Sequence, residues 1–188
     1  MRRIFLAINP PPEVRRGVWD ATASLREIPS SVRWTPESKI HLTLKFLGPI
    51  SEDQLQSLAA TLTEVARTHA APMMHIGSVG AFPNFRRPRV IWMGVAPEPR
   101  LELLQHDVEV ACAALGHELD GRPFRPHLTL GRWRETSSAD EVTPLRAAAK
   151  KVRFTDEFLV QSIDVTQSVP GAAGSTYSVL SSAPMRGN

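Results

Sequence analysis

The sequence predicts an α+β fold in which two lobes, each made of a sheet and helices, face each other across a groove. A strand–helix–strand order precedes each of two identical tetrapeptides, His41-Leu42-Thr43-Leu44 and His127-Leu128-Thr129-Leu130. The composition is that of a globular protein, with 42% hydrophobic and 22% charged residues in a chain of 188, and it allows a sizeable core. The simplest arrangement assigns one tetrapeptide to each lobe, and we expect residues 1–188 to form a single bilobal domain.

The first half of the chain begins with an uninterrupted apolar run, which predicts a strand buried on both faces. Apolar residues three and four apart predict two helices, and Ser51 with Gln54 forms a capping box at the start of the second. Gly48 and Pro49 are expected to end the first histidine strand. In chain order, the predicted elements are a strand over 4–8, a helix over 12–28, the first histidine strand over 39–47, a helix after Ser51, and strands over 73–79 and 89–95.

The second half repeats this order. A helical stripe from Leu101 to Leu115 is expected to end at Gly116, and the second histidine strand follows over 126–132. Thr143 and Pro144 resemble an N-cap and a first helical residue, and they predict the start of a short helix. Strands are predicted near 152–154, 159–167 and 176–182, with a Gly-rich turn at 170–174 between the last two.

Charge and cysteine content narrow the class of protein only slightly. A net charge of +3 is weak support for a polyanionic partner. The single cysteine, Cys112, excludes an internal disulfide and indicates a reducing compartment. The apolar run near the N-terminus is too short for a signal peptide or a membrane span. We therefore expect a cytoplasmic protein that is monomeric and does not contact membranes.

The two tetrapeptides are the candidate active site. Successive side chains of a strand point to opposite faces, so each histidine shares a face with its threonine while the leucines enter the core. A core has no need for the polar pair, and its recurrence favours catalysis by His41 and His127. The other histidines have no shared context and are expected to be surface or packing residues; they are His69, His75, His106 and His117.

Other chemistries fit the sequence less well. A zinc site needs three or four ligands, whereas a threonine follows each histidine and no His-x-x-Glu-His or Cys-x-x-Cys pattern occurs. Cys112 has the spacing of a helix core, and no Gly-x-Ser-x-Gly or Gly-x-Gly-x-x-Gly pattern is present. We expect no metal and no cofactor. Two facing imidazoles suit phosphodiester cleavage, because a neutral histidine can deprotonate water while a protonated one protonates the departing alkoxide.

These residues resemble the two-histidine (2H) phosphoesterase superfamily, and within it the RNA 2′,3′-cyclic phosphodiesterases, historically called 2′-5′ RNA ligases. The resemblance covers nearly the whole chain and is carried by segments 3–8, 41–48, 82–83, 87–92, 124–132 and 177–180, with Trp34. It implies two mainly antiparallel sheets flanked by helices around a central cleft, with pseudo-two-fold symmetry. It also implies metal-independent opening of a 2′,3′-cyclic phosphate to a 2′-phosphomonoester, on RNA ends, tRNA among them, or on small cyclic nucleotides.

By this resemblance, His127 is the general base toward water and His41 the general acid toward the ribose 3′ oxygen. Thr43, Thr129 and Arg132 hold the phosphate. Arg132 follows His127 at an odd offset, so it reaches the phosphate only if the strand bulges or ends near Gly131; otherwise it is a surface charge.

Strict alternation along the first histidine strand makes two further predictions. Phe46 falls on the leucine face and is expected in the core. Lys45 shares the face of His41 and Thr43 and is expected at the rim of the cleft.

Two other functions stay open at this point. One is a 2′-5′ RNA ligase that joins ends like those of tRNA halves, and the other is a non-catalytic RNA- or nucleotide-binding protein. The loop arginines Arg86, Arg87 and Arg89 either attract RNA phosphates or lie on a solvated loop. An aromatic side chain is expected to stack on the base, but the sequence does not identify it.

Overall fold

A curved antiparallel sheet forms the centre of the computed structural model, which describes residues 1–134, 138–172 and 174–187. Within these residues the sheet has nine strands, and every pairing between them is antiparallel. They are β1 (Arg2–Ile8), β2 (Val32–Trp34), β3 (Leu42–Ile50), β4 (Met73–Phe82), β5 (Val90–Val95), β6 (His127–Trp133), β7 (Thr155–Leu159), β8 (Ser162–Val169) and β9 (Thr176–Pro184).

The helices of the described residues cover the sheet through their apolar stripes. They are α1 (Pro12–Ala21), α2 (Ala23–Arg26), α3 (Glu52–Thr68), α4 (Pro99–Ala114) and α5 (Ala139–Ala149), with a 3₁₀ turn at Glu37–Lys39. Helix α3 packs on β8 and β9, and α4 packs on β3 and α3. Helix α1 contacts β7, and α5 contacts β4. None of these helices is long and apolar enough to cross a membrane.

The sheet consists of two halves that meet at the histidine strands. One half has the order β7-β4-β5-β6 and the other β3-β1-β8-β9, and β2 pairs with β6. A single residue pair, Leu42 opposite Leu128, connects β3 to β6, and both leucines are buried. The predicted α+β fold is confirmed: each half contributes one histidine strand, and the two antiparallel sheets are continuous through this pair.

Two helices differ from their predicted bounds. The helix predicted over 12–28 is broken at Thr22, whose hydroxyl donates to the carbonyl of Val18 at 2.8 Å and so competes with the backbone hydrogen bonds. Helix α5 begins at Ala139, five residues before the predicted first helical residue, because Ser138 and Glu141 form a capping box there. Pro144 therefore lies inside the helix.

Strand β3 continues past Gly48 and Pro49 to Ile50, whereas the sequence predicted its end there. Beyond Leu42 this strand pairs with β1 but not with β6 in the described residues, so Pro49 interrupts no ladder on that free side. Gly48 adopts a φ of +73°, which glycine tolerates best.

The last strands also shift from the predicted positions, and β2 was not predicted. Strand β7 follows the predicted 152–154 segment instead of occupying it, and β8 starts three residues later than expected. Within the turn predicted at 170–174, the N–H of Gly174 donates to the carbonyl of Gly171 at 2.9 Å; Ala173 lies outside the described residues.

Candidate active site

Both histidine strands carry a β-bulge one residue after the threonine. In β3, Thr43 pairs with Ala7 and Lys45 with Leu6, so Leu44 is an extra residue. In β6, Thr129 pairs with Trp92 and Gly131 with Ile91, so Leu130 is extra. An extra residue reverses the alternation of faces beyond it. The fifth residue after each histidine therefore returns to the histidine's face.

This bulge has opposite consequences for two predictions. Arg132 lies on the histidine face of β6 and lines the cleft, as the bulge predicted near Gly131 requires. Phe46 is its counterpart in β3, and its predicted place in the core is wrong: its side chain is 68% exposed and lines the same cleft. Phe46 also contacts the ring of Phe5, with 6.0 Å between the centroids.

Lys45 is the second residue that the bulge displaces. The sequence predicted it at the cleft rim, but its side chain is only 4% exposed and points away from the cleft. Its ammonium group donates to a carboxylate oxygen of Glu109 at 2.6 Å and to the carbonyl of Glu118 at 2.8 Å. Lys45 therefore belongs to a buried ion pair under the strand.

A cleft of about 280 Å³ lies on the histidine face where β3 and β6 meet. Its described lining contains the cationic side chains Arg3, Lys39 and Arg132 but no aspartate or glutamate. Arg132 forms no ion pair within the described residues. The cleft is consequently suited to an anion. Its other lining residues are Ile4, Phe5, Thr35, His41, Thr43, Phe46, Gly48, Thr129, Ser168 and Tyr177.

The central leucine pair brings the predicted site residues together. With Leu42 opposite Leu128 in antiparallel register, His41 faces Thr129 and Thr43 faces His127. The two histidines are then diagonal neighbours, which lie about 7–8 Å apart in a regular antiparallel pair. The two rings are near enough for the charge of His127 to act on His41.

Each imidazole is held by a carbonyl two residues earlier in the chain. Nδ1 of His41 lies 2.7 Å from the carbonyl oxygen of Lys39, and Nδ1 of His127 lies 2.7 Å from that of Arg125. A carbonyl only accepts, so each Nδ1 carries the proton and donates. The Nε2 atom of both rings is therefore the one free to exchange a proton.

Aromatic rings fix the orientation of both imidazoles. The ring of Phe5 lies 4.9 Å from that of His41, and Tyr177 meets His41 edge-on at 5.5 Å. Phe82, at the end of β4, meets His127 edge-on at 4.9 Å. Sequence reasoning did not assign roles to Phe5, Tyr177 or Phe82, although all three fall in segments that carry the family resemblance.

The surroundings lower the pKa of both histidines below the usual value of 6.5. Burial is the largest cause for each ring, while the hydrogen bond from Nδ1 to the carbonyl acts in the opposite direction. The charge of Arg132 lowers both pKa values, and that of His127 lowers the pKa of His41. An anion bound between the rings would raise both pKa values again.

We expect kcat/KM for a reaction catalysed by these two histidines to be greatest below pH 6.5. This parameter reports the pKa values of the free enzyme, and the pKa values of both histidines are lowered.

The substitution Arg132→Gln removes a positive charge and should raise the pKa of both imidazoles. Titration of the histidine ring protons by NMR measures this shift. The exposed Arg86→Gln variant is the control, and equal histidine pKa values in wild type and Arg132→Gln would contradict the prediction.

Of the two predicted catalytic histidines, His41 lines the cleft and His127 lines a separate groove, and the remaining histidines lie outside the cleft. His69 is bonded to Asp107 and His75 to Glu157, while His106 and His117 do not line it. The described residues contain no group of three or more His, Cys, Asp or Glu side chains that could hold a metal ion. Burial raises the pKa of the Cys112 thiol to about 11, so this cysteine is a poor nucleophile at neutral pH.

Comparison with known proteins connects this site to a family. Residues 10–169 match the model of the 2′-5′ RNA ligase superfamily. An RNA 2′,3′-cyclic phosphodiesterase of Thermus thermophilus is 31% identical over 190 residues, covering 98% of this chain and 91% of that protein. One of Archaeoglobus fulgidus is 35% identical over 130 residues, covering 69% of this chain and 72% of that protein. One of Geobacillus stearothermophilus is 37% identical over 99 residues, which are 53% of this chain and 32% of that protein's length.

Solved structures share the fold along the whole chain. The crystal structure of TT0787 from Thermus thermophilus superposes with a TM-score of 0.80 and 27% identity, covering 98% of both chains. E. coli LigT complexed with 3′-AMP has a TM-score of 0.75 at 23% identity, with the same coverage of both chains, and is similar in fold. Because the family model spans both histidine strands and most of the sequence, the chain belongs to the 2′-5′ RNA ligase superfamily, which confirms its resemblance to the two-histidine phosphoesterases.

Proposed function

We propose that the protein hydrolyses 2′,3′-cyclic phosphates to 2′-phosphomonoesters without a metal ion. The observation that carries this proposal is the pair of imidazoles at the β3–β6 junction, each with its Nδ1 bound to a carbonyl and its Nε2 without a hydrogen-bond partner among the described residues. The cleft beside His41, Thr43 and Thr129 has a cationic lining. The relatives named above are RNA 2′,3′-cyclic phosphodiesterases, which supports a cyclic phosphate as the substrate.

His127 acts as the general base and His41 as the general acid. The leaving 3′ oxygen is part of the ribose, so the acid must lie on the side of the nucleoside. The exposed aromatic rings of Phe46 and Tyr177 lie on the side of His41, and they support this orientation. His127 lines a different cavity, an open groove of about 1150 Å³, and this groove gives water a route to its ring.

Thr43, Thr129 and Arg132 hold the non-bridging oxygens of the phosphate. All three line the cleft with His41, and hydroxyl and guanidinium donors stabilise the charge that develops on those oxygens. Each histidine contributes about 10²–10⁴ in rate as an acid or base. The two together are then worth roughly 5–11 kcal/mol of barrier, which makes hydrolysis feasible without a metal.

RNA ends that carry a 2′,3′-cyclic phosphate, tRNA ends among them, and free cyclic nucleotides are the proposed substrates. Beyond the cleft, the exposed arginines Arg86 and Arg87 lie on the loop between β4 and β5 and do not line the cleft. Their contribution to RNA binding would therefore be long-range attraction of phosphates and not contact with the reacting group.

Incubating the protein with 2′,3′-cyclic AMP and excess EDTA should yield 2′-AMP, which chromatography separates from 3′-AMP. Formation of 3′-AMP would mean that the other ester bond breaks and would contradict the assigned leaving group. Loss of activity in EDTA would contradict a metal-independent reaction. Lysozyme under the same conditions controls for spontaneous opening of the ring.

The groove beside His127 favours ligation as a second candidate function. Its volume of about 1150 Å³ exceeds what an attacking water needs and can hold a nucleoside. An RNA 5′-hydroxyl bound there would replace water as the nucleophile: its oxygen bonds to phosphorus, the bond from phosphorus to the 3′ oxygen breaks and the 3′ oxygen takes up a proton, which gives a 2′-5′ linkage. Resolving joined and hydrolysed products formed from paired tRNA halves distinguishes the two functions.

A further inference from the structure

A second recess lies on the far side of His41. Unlike the phosphate cleft, it contains a carboxylate, that of Asp164. It has a volume of about 290 Å³ and shares His41, Phe5, Lys39 and Tyr177 with the cleft. Its floor comes from strands β1, β8 and β9 and is largely polar. We call this cavity the Asp164 recess. Besides the four shared residues, it is lined by Asn9, Arg15, Ser38, Ser162, Asp164, Thr166, Val179 and Ser182.

Asp164 is a buried carboxylate at the floor of this recess, 6% exposed. Each of its oxygens holds one donor: Asn9 Nδ2 donates to Oδ2 at 2.6 Å and Ser162 Oγ donates to Oδ1 at 2.8 Å. An ionised carboxylate has about four acceptor positions, so Asp164 can accept further hydrogen bonds from a ligand in the recess.

Thr166 lies beside Asp164 along the same strand and on the same face. It is 4% exposed, and its hydroxyl has no hydrogen-bond partner among the described residues. A buried polar group without a partner is costly and unusual in a folded protein. Because Thr166 lines the recess, a ligand bound there can satisfy it.

We propose that the Asp164 recess binds the base of the nucleotide that carries the cyclic phosphate and selects bases with an exocyclic amino group. This inference rests on the proposed function, which places the nucleoside on the side of His41. The amino group donates to Asp164, and the adjacent unprotonated ring nitrogen accepts from the Thr166 hydroxyl. Cytosine and adenine present this pair of groups, whereas uracil presents a carbonyl oxygen that the carboxylate repels.

The size and surroundings of the recess fit a single base. Its volume of about 290 Å³ lies at the lower limit of ligand cavities, enough for one ring system. Tyr177, which is 40% exposed, and Lys39 stand between the recess and the phosphate cleft. The ribose would pass this boundary and bring its 3′ oxygen to His41.

Comparing kcat/KM for 2′,3′-cyclic CMP and 2′,3′-cyclic UMP tests the proposal, because the two bases have the same shape. We expect the wild type to prefer the cytosine substrate by about tenfold or more, since a site built to bond a group rejects an analogue that lacks it. Asp164→Asn supplies an amide donor for the uracil carbonyl and should bring the ratio close to one. Thr166→Val removes the hydroxyl without changing shape and should lower kcat/KM for 2′,3′-cyclic CMP severalfold, because the hydrogen bond to the ring nitrogen is lost.

The controls separate this inference from the proposed function. Thr166→Val removes an unsatisfied group and should fold at least as well as the wild type, so it keeps the test valid if Asp164→Asn does not fold. Glu64→Gln removes a carboxylate from the exposed face of α3, away from the cleft, the groove and the recess, and should leave the ratio unchanged. The proposal is overturned by a wild-type ratio near one, by a ratio that Asp164→Asn leaves unchanged, or by an unchanged kcat/KM for 2′,3′-cyclic CMP in Thr166→Val.

Binding of the products gives a readout that does not depend on catalysis. Calorimetry should show tighter binding of 2′-CMP than of 2′-UMP to the wild type, and the difference should shrink in Asp164→Asn. If no cyclic nucleotide is hydrolysed but this binding preference is present, the proposed function fails and the base recess stands. If hydrolysis occurs without any preference in rate or binding, the recess proposal fails alone.

Discussion

Replacing His127 with alanine is expected to lower kcat for 2′,3′-cyclic AMP about 10²–10⁴-fold while KM changes little, because proton transfer matters in the transition state more than in substrate binding. His41→Ala should lower kcat within the same range. The exposed variant His106→Ala, outside the cleft, is the control for a general effect of losing a histidine. Steady-state kinetics with chromatographic detection of 2′-AMP measures all three.

The pH profiles of these variants also assign the two roles. The base must be neutral, so wild-type activity falls at low pH as His127 takes up a proton. The acid must be protonated, so activity falls at high pH as His41 loses its proton. The residual activity of His127→Ala should therefore no longer fall at low pH. The residual activity of His41→Ala should no longer fall at high pH. If His127→Ala instead loses the fall at high pH and His41→Ala the fall at low pH, the two roles are reversed. An unchanged kcat in both variants would favour a non-catalytic binding protein.

The histidine–threonine pairs could be predicted from the sequence because they lie before the bulge in each strand, where strict alternation still holds. Two residues further on, the same rule failed. Phe46 and Lys45 exchange faces because Leu44 is an extra residue in the pairing with β1. Arg132 was placed well only because its expected role required a bulge near Gly131. A bulge depends on the partner strand, and one strand's sequence does not contain that information.

The parts of the site contributed by distant strands were the hardest to predict. Asp164, Thr166 and Tyr177 line a cavity with His41 because β8 pairs with β1 and β9 pairs with β8, and no local pattern marks them as site residues. The repeated tetrapeptide was informative because it occurs twice and each copy needs only one strand. The fold class followed from periodicity, while element boundaries at Thr22 and Ser138 depended on single side-chain hydrogen bonds.

The buried pair of Lys45 and Glu109 carries the second large prediction, which concerns stability. Lys45→Met is expected to lower the free energy of unfolding by about 3–5 kcal/mol, because it leaves the Glu109 carboxylate buried without its cation. This is a large part of the 5–15 kcal/mol typical of a folded domain. Urea unfolding measures the change. As a control, Arg67→Met breaks an exposed helix pair with Glu64 and should cost less than about 0.5 kcal/mol.

The double variant Lys45→Met/Glu109→Gln distinguishes an unpaired charge from lost packing. Its glutamine keeps an oxygen to accept the backbone N–H of Asp120, which Glu109 accepts at 3.2 Å, and no charge is left buried. Most of the lost stability should therefore return, whereas a loss due to packing would persist. Lys45 is the residue that follows the extra leucine of β3, so its ion pair with Glu109 of α4 lies directly beside the bulge that turns Phe46 into the cleft. If the double variant regains stability but shows a raised KM, then the charge pair also positions Phe46 beside His41. An unchanged KM would mean that the pairing of β3 with β1 alone is sufficient to hold the bulge.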